Sequence, residues 1–259
     1  MADDLILMKL GGSLITDKES QTPKCRKKNI DKIAEIISKS NEKIVLVHGA
    51  GSFAHPLAKK YKIGNGFDGT NEQKEAITRA RKQMRDLNQI LCEAIIKTGV
   101  SCESIIPSLS MKINIENEPL DFPKYKFDEI LSAGKIPVTF GDIVDTREKD
   151  VRILSGDTIL LELAKLYKPK RTFFIMDYPG VVKGSLNSEE LEIHDEIDSK
   201  FIEEVSIQSQ NNRPDVTGGL LNKIRCALEI SKNGECWISG LNNLSNCIND
   251  MPKGTRVIF

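Results

Sequence analysis

Short apolar runs alternate along the chain with longer segments in which apolar residues recur at helical spacing. Uninterrupted runs rich in β-branched residues, such as Lys43–Val47, are typical of strands buried on both faces of a parallel sheet. The runs that we predict to be strands are Leu5–Leu10, Lys43–Val47, Ser104–Pro107, Ile136–Phe140, Thr172–Met176, Cys236–Ile238 and Arg256–Ile258. The segments that we predict to be helices are Asn29–Ser40, Glu72–Thr98, Gly156–Tyr167 and Gly219–Ser231. This order indicates an α/β protein whose mainly parallel sheet is covered by helices on both faces.

Two segments lack a clear pattern. Met111–Lys126 is polar and irregular, and we expect it to form a hairpin or a lid. Ser185–Asp215 is also mostly polar, with weak helix signals around Ile197–Val205. Neither segment changes the α/β assignment.

The composition disfavours several classes of protein. Hydrophobic residues make up 39% and charged residues 29% of the chain, and 37 basic residues balance 37 acidic ones, so bulk charge gives no reason to expect nucleic-acid binding. No apolar stretch approaches the roughly 20 residues that a membrane-spanning helix needs, and the acidic N-terminus does not resemble a signal peptide. The 6 cysteines form no C-x-x-C pair, which disfavours a zinc or iron–sulfur site. We therefore expect reduced thiols and a cytoplasmic protein.

Three glycine-bearing turns lie where a predicted strand ends or a predicted helix begins: Gly11–Ser13, Gly49–Ser52 and Thr217–Gly219. Ligands of parallel sheets bind at the carboxyl ends of the strands, and glycine lets backbone N–H groups approach an anion closely. A helix start adds further donors and the positive end of its dipole. Each turn by itself also fits a plain connection between two elements, but several turns around one crevice would hold a chain of phosphates.

A lysine lies close to the first and third of these turns. Lys9 precedes the first turn, Lys18 follows it, and Lys223 lies one helical turn beyond the third. Because most lysines are solvated surface charges, these three are distinguished by position rather than by residue type. We predict that their ammonium groups meet around a shared row of phosphates.

Two familiar phosphate-binding motifs do not account for the pattern. The sequence contains no G-x-x-x-x-G-K-[ST] motif, which excludes a P-loop nucleotidase. Gly49-x-Gly51-x-x-Ala54 fits a relaxed dinucleotide fingerprint, which would require a second strand ending in an acidic residue about 20 residues later. The glycine-rich segment Lys62–Asn71 stands there instead, so a nicotinamide-dependent dehydrogenase is disfavoured.

Motifs in three parts of the chain resemble those of the amino acid kinase superfamily. Lys9–Ser13 resembles its opening motif, and Gly141–Asp142 followed by Ser155–Asp157 resembles its central motif. Asp215–Leu220 with Lys223 resembles its nucleotide-side motif. The similarity runs from about Lys9 to the C-terminus. It implies an amino acid kinase-like three-layer αβα sandwich with a mainly parallel central sheet.

Two features resemble the isopentenyl phosphate kinase family within this superfamily. One is Ile15–Lys18, directly after the first glycine turn, and the other is Val47–Pro56, which carries His55. The histidine after the glycine turn is the residue that distinguishes the family. An isolated histidine beside a proline would otherwise be interpreted as a surface or core residue. We interpret His48 as a strand-end residue and His194 as a loop residue.

The sequence departs from the family pattern at two places. Ala50 and Ala54 stand where glycine is frequent, but both are small enough for close backbone approach. Met176–Val181 stands where the family usually has a T-D-V-D-G-V-like run that contacts the nucleotide. Asp177 and Gly180 are the ATP-binding candidates in this run.

The resemblance implies ATP-dependent phosphorylation of isopentenyl phosphate, with dimethylallyl phosphate as a second acceptor, in isoprenoid precursor synthesis. It implies that Lys9 and Lys223 bind ATP phosphates, that Lys18 stabilises the transferred group and that Asp157 orients the lysines. The implied main-chain donors to the ATP phosphates are Gly11, Gly12, Ser13, Gly51, Gly218 and Gly219. His55, Ala50 and Gly156 would hold the acceptor phosphate, and Mg²⁺ would be carried by ATP rather than by protein ligands.

The resemblance also implies a homodimer and two lobes that share one sheet. Residues 1–167 would bind the acceptor and part of the ATP phosphates, and residues 168–259 would bind the nucleotide. Candidates for an apolar pocket around the five-carbon tail are Phe67, Ile77, Met84, Phe140 and Ile143, all of which also fit plain core positions.

Two alternatives stay open on the sequence alone. Other kinases of the same fold act on fosfomycin, acetylglutamate, carbamate or uridylate, and fold cannot separate these acceptors. Fosfomycin kinase comes nearest, because it shares the lysine and histidine pattern. A catalytically silent nucleotide-binding module would use the same turns, although the retained Lys9, Lys18, His55, Asp157 and Lys223 argue against it.

Overall fold

The computed structural model describes residues 4–17, 19–114, 119–148, 150–184, 191–203 and 218–259. The strands of the described residues are β1 (Leu5–Leu10), β2 (Lys43–His48), β3 (Cys102–Ser104), β4 (Lys112–Ile113), β5 (Pro119–Asp121), β6 (Ile136–Phe140), β7 (Asp142–Asp145), β8 (Val151–Leu154), β9 (Arg171–Met176), β10 (Glu196–Ile197), β11 (Glu235–Gly240) and β12 (Thr255–Val257). Their helices are α1 (Gly12–Ile15), α2 (Lys27–Ser38), α3 (His55–Lys60), α4 (Asn71–Lys97), α5 (Pro107–Ser110), α6 (Lys124–Ser132), α7 (Gly156–Tyr167), α8 (Gly218–Ser231) and α9 (Leu244–Ile248).

Eight of these strands form one sheet in the order β10-β12-β11-β9-β1-β2-β6-β3. Strands β11, β9, β1, β2, β6 and β3 run parallel to one another, and β12 pairs antiparallel with β11. The predicted mainly parallel sheet is therefore confirmed. Two further pairs, β4 with β5 and β7 with β8, form separate antiparallel hairpins.

The central strand β1 shows why the molecule has three layers. Its side chains alternate across the sheet, so Ile6, Met8 and Leu10 face a core that they share with α2 and α4. Leu5 and Leu7 face the opposite core, which α7 and α8 cover. The predicted αβα sandwich is confirmed, and Lys9 lies by register on the α7 side of the sheet.

Several predicted boundaries differ from the structure. The strand predicted at Ser104–Pro107 lies earlier, at Cys102–Ser104, where it pairs with β6. Pro107 instead begins α5, because a residue without an N–H is favoured in the first turn of a helix. The helix predicted at Asn29–Ser40 begins and ends two residues earlier than expected. The other predicted strands and helices agree within two residues at either end.

The irregular segments contain structure that the sequence pattern did not resolve. Met111–Lys126 includes the β4–β5 hairpin, as expected, and the start of α6. The β7–β8 hairpin, residues 142–154, was not predicted. Most of Ser185–Asp215 lies outside the described residues, and within its described part Glu196–Ile197 is a strand and residues 199–203 are helical.

Candidate active site

The glycine turns after β1 and β2 lie against each other at the carboxyl edge of the sheet. The Gly49 N–H donates to Leu10 O at 3.0 Å, and a Cβ atom on Gly49 would stand 2.7 Å from Gly12 N. Gly51 adopts a φ of +49°, and a Cβ atom there would overlap the Thr16 hydroxyl. The absence of side chains therefore permits this close approach of two backbone turns.

Thr16 fixes the two turns relative to each other. Its hydroxyl donates to Gly12 O at 2.8 Å and accepts the Ser52 N–H at 3.0 Å. Helical geometry leaves the first N–H groups of α1, those of Gly12 and Ser13, without acceptors inside the helix. The predicted donors Gly12, Ser13 and Gly51 thus lie together in one compact corner. Gly11 lies there too, but its N–H donates to Ile175 O at 2.8 Å, so its predicted role as a phosphate donor is wrong.

Lys9, Asp157 and Lys223 form a buried charged cluster beside this corner. Lys9 Nζ lies 2.5 Å from Asp157 Oδ1, and Lys223 Nζ lies 3.2 Å from the same oxygen. The three side chains are 8%, 12% and 12% exposed, respectively. Strand β1 contributes Lys9, the start of α7 contributes Asp157, and the second turn of α8 contributes Lys223. Two ammonium groups share one carboxylate, so the cluster has an excess positive charge.

The pKa values of this cluster follow from burial and from the neighbouring charges. Burial and, to a smaller extent, the Lys9 ammonium lower the pKa of Lys223 to about 8, against the opposing effect of the Asp157 carboxylate. Burial would raise the pKa of Asp157, but the Lys9 and Lys223 ammonium groups hold it below its ordinary value. Asp157 is therefore ionised at neutral pH, and Lys223 is mostly protonated.

The start of α7 is packed against the ends of β2 and β6. A Cβ atom on Gly156 would stand 3.1 Å from Lys9 Cε and 3.2 Å from His48 O. The same His48 carbonyl accepts the Gly141 N–H at 3.0 Å. Ser155 caps the helix by accepting the Thr158 N–H at 3.0 Å. Gly156 is thus required where three backbone segments and Lys9 meet.

His55 begins α3, three residues after the second glycine turn, which contains Ala50. Its side chain is exposed, and within the described part of the chain it makes no hydrogen bond or ion pair. Surrounding protein lowers the pKa of the ring by desolvation, and the Lys9 ammonium lowers it further. An incoming phosphate dianion would raise that pKa again, because it stabilises the imidazolium.

His48 differs from His55 in every respect. Its ring is fully buried, stacks on Phe140 with centroids 5.2 Å apart and contacts Asn88 Oδ1 at 3.2 Å. Burial lowers its pKa to about 4. It is therefore a neutral core residue whose backbone carbonyl, rather than its ring, helps to shape the site.

Two candidates from the atypical run after β9 lie in different surroundings. Asp177 follows β9 and faces Arg26, whose Nη1 lies 3.8 Å from Asp177 Oδ2. The Oδ1 atom of Asp177 is buried and has no hydrogen-bond partner among the described residues. Gly180 is buried against β12, and a Cβ atom there would stand 2.6 Å from Thr255 Oγ1. Tight packing thus gives Gly180 a structural role, and its predicted ATP contact stays a prediction.

The remaining candidates lie at or beyond the limits of the described residues. Gly218 and Gly219 begin α8, one turn before Lys223. Lys18 and the stretch Asp215–Thr217 lie outside the described residues. The predicted meeting of three lysines is thus observed for Lys9 and Lys223, and stays a prediction for Lys18.

Sequence reasoning missed two side chains that shape the site. Thr16 lies within a motif quoted for its resemblance, but nothing in that motif indicated that its hydroxyl joins two turns. Arg26 precedes a helix and gives no sequence signal for its position beside Asp177. Among the five candidates for the tail pocket, only Phe67 is exposed, at 43%, and the other four are buried core residues.

The described residues offer neither a cluster of metal ligands nor a membrane-spanning helix. They contain no group of three or more His, Cys, Asp or Glu side chains placed to hold a metal ion. None of their helices has the length and apolar character needed to cross a membrane.

Comparisons with known proteins connect this geometry to a family. The sequence model of the amino acid kinase family matches residues 4–239. The isopentenyl phosphate kinase of Methanocaldococcus jannaschii is 31% identical, over 98% of this chain and 99% of its own. That of Methanothermobacter thermautotrophicus is 28% identical, over 89% of this chain and 88% of its own. A solved isopentenyl phosphate kinase structure is 24% identical and has a TM-score of 0.83, covering 98% of this chain and 99% of that one, and so shares the fold.

Proposed function

Because this chain belongs to the amino acid kinase family, we propose that it transfers the γ-phosphoryl group of ATP to isopentenyl phosphate, giving isopentenyl diphosphate and ADP. One observation carries the reaction class: Lys9 and Lys223 converge on Asp157 beside two abutting glycine turns. The full-length similarity to isopentenyl phosphate kinases supports the choice of acceptor.

The acceptor in this reaction needs no general base. The second pKa of a phosphate monoester is about 6, so the nucleophile is mostly a dianion at neutral pH. One of its oxygens attacks the γ-phosphorus, and the bond from that phosphorus to the β–γ bridging oxygen breaks. ADP leaves with the electron pair. The chemical difficulty is the approach of two anions and the charge on the transferred group.

Positively charged side chains and backbone donors meet this difficulty. Lys9 and Lys223 would bind the ATP phosphates, and Asp157 would hold both ammonium groups in place. Lys18 would stabilise the transferred phosphoryl group. The N–H groups of Gly12, Ser13 and Gly51, together with those of Gly218 and Gly219 at the start of α8, would complete the phosphate site.

The acceptor phosphate would bind on the other side of this corner. His55 is exposed close to the second turn, which contains Ala50, and Gly156 lies against Lys9 and the end of β2. Because His55 makes no competing bond among the described residues, its ring is available to donate to a phosphate oxygen.

The finer parts of the proposal follow from the family. Mg²⁺ would bind oxygens of ATP and water and would neutralise charge on the β- and γ-phosphates. Residues 1–167 would hold the acceptor and residues 168–259 the nucleotide, with Asp177 and Gly180 near the latter. Dimethylallyl phosphate is a second acceptor, the assembly is a homodimer and the compartment is the cytoplasm.

An acceptor panel tests the proposal. The purified protein is incubated with ATP and Mg²⁺ and, separately, with isopentenyl phosphate, dimethylallyl phosphate, fosfomycin, acetylglutamate, carbamate and UMP, and ADP and the phosphorylated product are quantified. We expect isopentenyl phosphate to give the highest kcat/KM. Good turnover of fosfomycin with none of isopentenyl phosphate would reject the assignment, and no turnover of any acceptor would favour a silent nucleotide-binding module. Light scattering tests the dimer.

A further inference from the structure

The loop between α3 and α4, residues 61–70, is fastened to the turn of the β7–β8 hairpin. The Phe67 N–H donates to Asp150 Oδ1 at 2.6 Å. Gly66, with a φ of +102°, lets the loop pass so close that a Cβ atom there would stand 2.6 Å from Asp150 Oδ2. One carboxylate therefore joins two segments that are far apart in sequence.

Asp150 is itself held by the hairpin. Its Oδ1 accepts the Val151 N–H at 2.7 Å, its Oδ2 pairs with the Arg152 guanidinium, and its own N–H donates to Thr146 Oγ1 at 3.1 Å. Charge-assisted hydrogen bonds of this kind are stronger than neutral ones. The hairpin alone therefore fixes the position of the Asp150 carboxylate, independently of its contact with the loop.

The internal shape of the loop does not depend on Asp150. Gln73, which is 2% exposed, donates to Tyr61 O at 2.9 Å and to Gly66 O at 3.1 Å, and it accepts the Asp68 N–H at 2.8 Å. The Gln73 side chain thus joins the start of the loop, at Tyr61, to its later residues Gly66 and Asp68. Loss of Asp150 would therefore release the loop from the hairpin without unfolding it.

The two fastened segments both lead back to the proposed acceptor site. On one side, α3 runs from His55 to Lys60, a length of about 9 Å, and enters the loop. On the other side, the hairpin begins beside Gly141 and ends beside Gly156. A Cβ atom on Gly141 would stand only 2.9 Å from Gly156 N. The hydrogen bond between Asp150 and Phe67 links these two segments at the end that lies away from the proposed acceptor site.

Exposed apolar side chains lie on both fastened segments. Phe67 on the loop is 43% exposed and Ile153 on the hairpin is 38% exposed. The two segments also touch where a Cβ atom on Gly64 would stand 3.8 Å from Ile153 Cδ1. Phe67 and Ile153 therefore offer apolar surface to the tail of an acceptor whose phosphate lies at His55, and the loop and the hairpin must stay together to present both side chains at once.

We propose that Asp150 is a positioning residue that joins the 61–70 loop to the β7–β8 hairpin and thereby sets the affinity for acceptors with an apolar tail. This inference rests on the proposed function. Asp150 acts through the loop and the hairpin and does not contact the reacting atoms.

The test compares Asp150→Ala, Asp150→Asn and the unchanged enzyme in steady-state kinetics. We expect Asp150→Ala to raise KM for isopentenyl phosphate about ten-fold, as the loss of one charge-assisted hydrogen bond would. The kcat, the KM for ATP and the competitive inhibition constant of inorganic phosphate, which has no tail, should stay within about two-fold. Asp150→Asn keeps an oxygen for the Phe67 N–H and should give a smaller increase.

A matched control and a second readout separate positioning from general damage. Asp86→Asn removes a carboxylate from an exposed ion pair with Lys82 on α4 and should change none of these constants. Hydrogen exchange of the Phe67 amide should become faster in Asp150→Ala while the melting temperature stays close to that of the unchanged enzyme. An unchanged KM for isopentenyl phosphate, or equal losses for ATP, inorganic phosphate and isopentenyl phosphate, would overturn the proposal.

Failure of the proposed function would be visible separately. In that case the unchanged enzyme would not phosphorylate isopentenyl phosphate, and the acceptor panel would give the true acceptor. The same variants would then be compared with that acceptor and with inorganic phosphate. A tailed acceptor whose KM does not respond to Asp150→Ala would still reject the role of Asp150.

Discussion

Lys9 and Lys223 approach the same carboxylate oxygen, Asp157 Oδ1, at 2.5 Å and 3.2 Å. They come from opposite ends of the chain and are both largely buried. Burying two ammonium groups against one carboxylate is costly, and such sites are frequent where an anion binds. A triphosphate would supply the missing negative charge.

Asp157→Asn should lower both activity and stability. Without the carboxylate the two ammonium groups repel each other, and displacement by about 1 Å can cost on the order of 100-fold in rate. We expect kcat/KM for ATP to fall about 100-fold. Removal of one partner from a buried ion pair should also lower the free energy of unfolding by about 3 kcal/mol. Urea unfolding and steady-state kinetics measure the two effects.

The control for Asp157→Asn is again Asp86→Asn, in an exposed pair. Surface pairs contribute at most about 1 kcal/mol, so this variant should resemble the unchanged enzyme. If Asp157→Asn were as stable and as active as the control, Asp157 would not hold the lysines.

Activity should depend on the protonation of Lys223. Its pKa is lowered to about 8, so the ammonium form dominates below that value and is lost as pH rises above it. The kcat/KM for ATP reports the free enzyme and should fall by about ten-fold per pH unit above 8. Bound phosphates stabilise the ammonium form, so the fall in kcat should occur at higher pH.

Lys223→Arg is the control for this pH dependence. Arginine stays protonated throughout the range, so the variant should lose the alkaline fall near pH 8, whatever its residual activity. A profile of the unchanged enzyme that is flat from pH 7 to 10, or an identical fall in the arginine variant, would show that another group titrates.

Lys18→Met should lower turnover by orders of magnitude while ATP still binds. The reason is that a charge placed on the transferred phosphoryl acts mainly in the transition state. Lys24→Met provides the control, since Lys24 is 65% exposed in the same segment and pairs with Asp17. Single-turnover kinetics measures phosphoryl transfer, and nucleotide titration measures ATP binding. Unchanged turnover would remove Lys18 from the mechanism.

His55→Ala should lower kcat/KM for isopentenyl phosphate by about 100-fold, as loss of a hydrogen bond to a charged group would. The protein should stay folded, because the side chain is exposed at the first residue of a short helix. Melting temperature and acceptor kinetics are the measurements. His194→Ala, which alters a histidine packed against Phe201, is the control. A fully active His55→Ala protein would contradict the choice of isopentenyl phosphate as acceptor.

Long periodic patterns predicted the main elements well. Apolar runs such as Leu5–Leu10 are long enough to fix a buried strand, and Glu72–Thr98 was predicted within one residue at each end because its helical spacing is sustained. The β7–β8 hairpin was missed because Asp142–Asp145 is short and follows directly on β6. Such short strands are defined by their partners rather than by their own pattern.

The sequence by itself determined the layers of the fold, the glycine turns and the residue types available for phosphate chemistry, because these depend on local periodicity and on backbone freedom. Only the tertiary structure decided which of these groups meet. Lys9 and Lys223 are separated by most of the chain, and the parallel sheet and two helices bring them to one oxygen of Asp157. Contacts such as Thr16 with Ser52, or Asp150 with Phe67, arise from the same long-range packing, which no local pattern encodes.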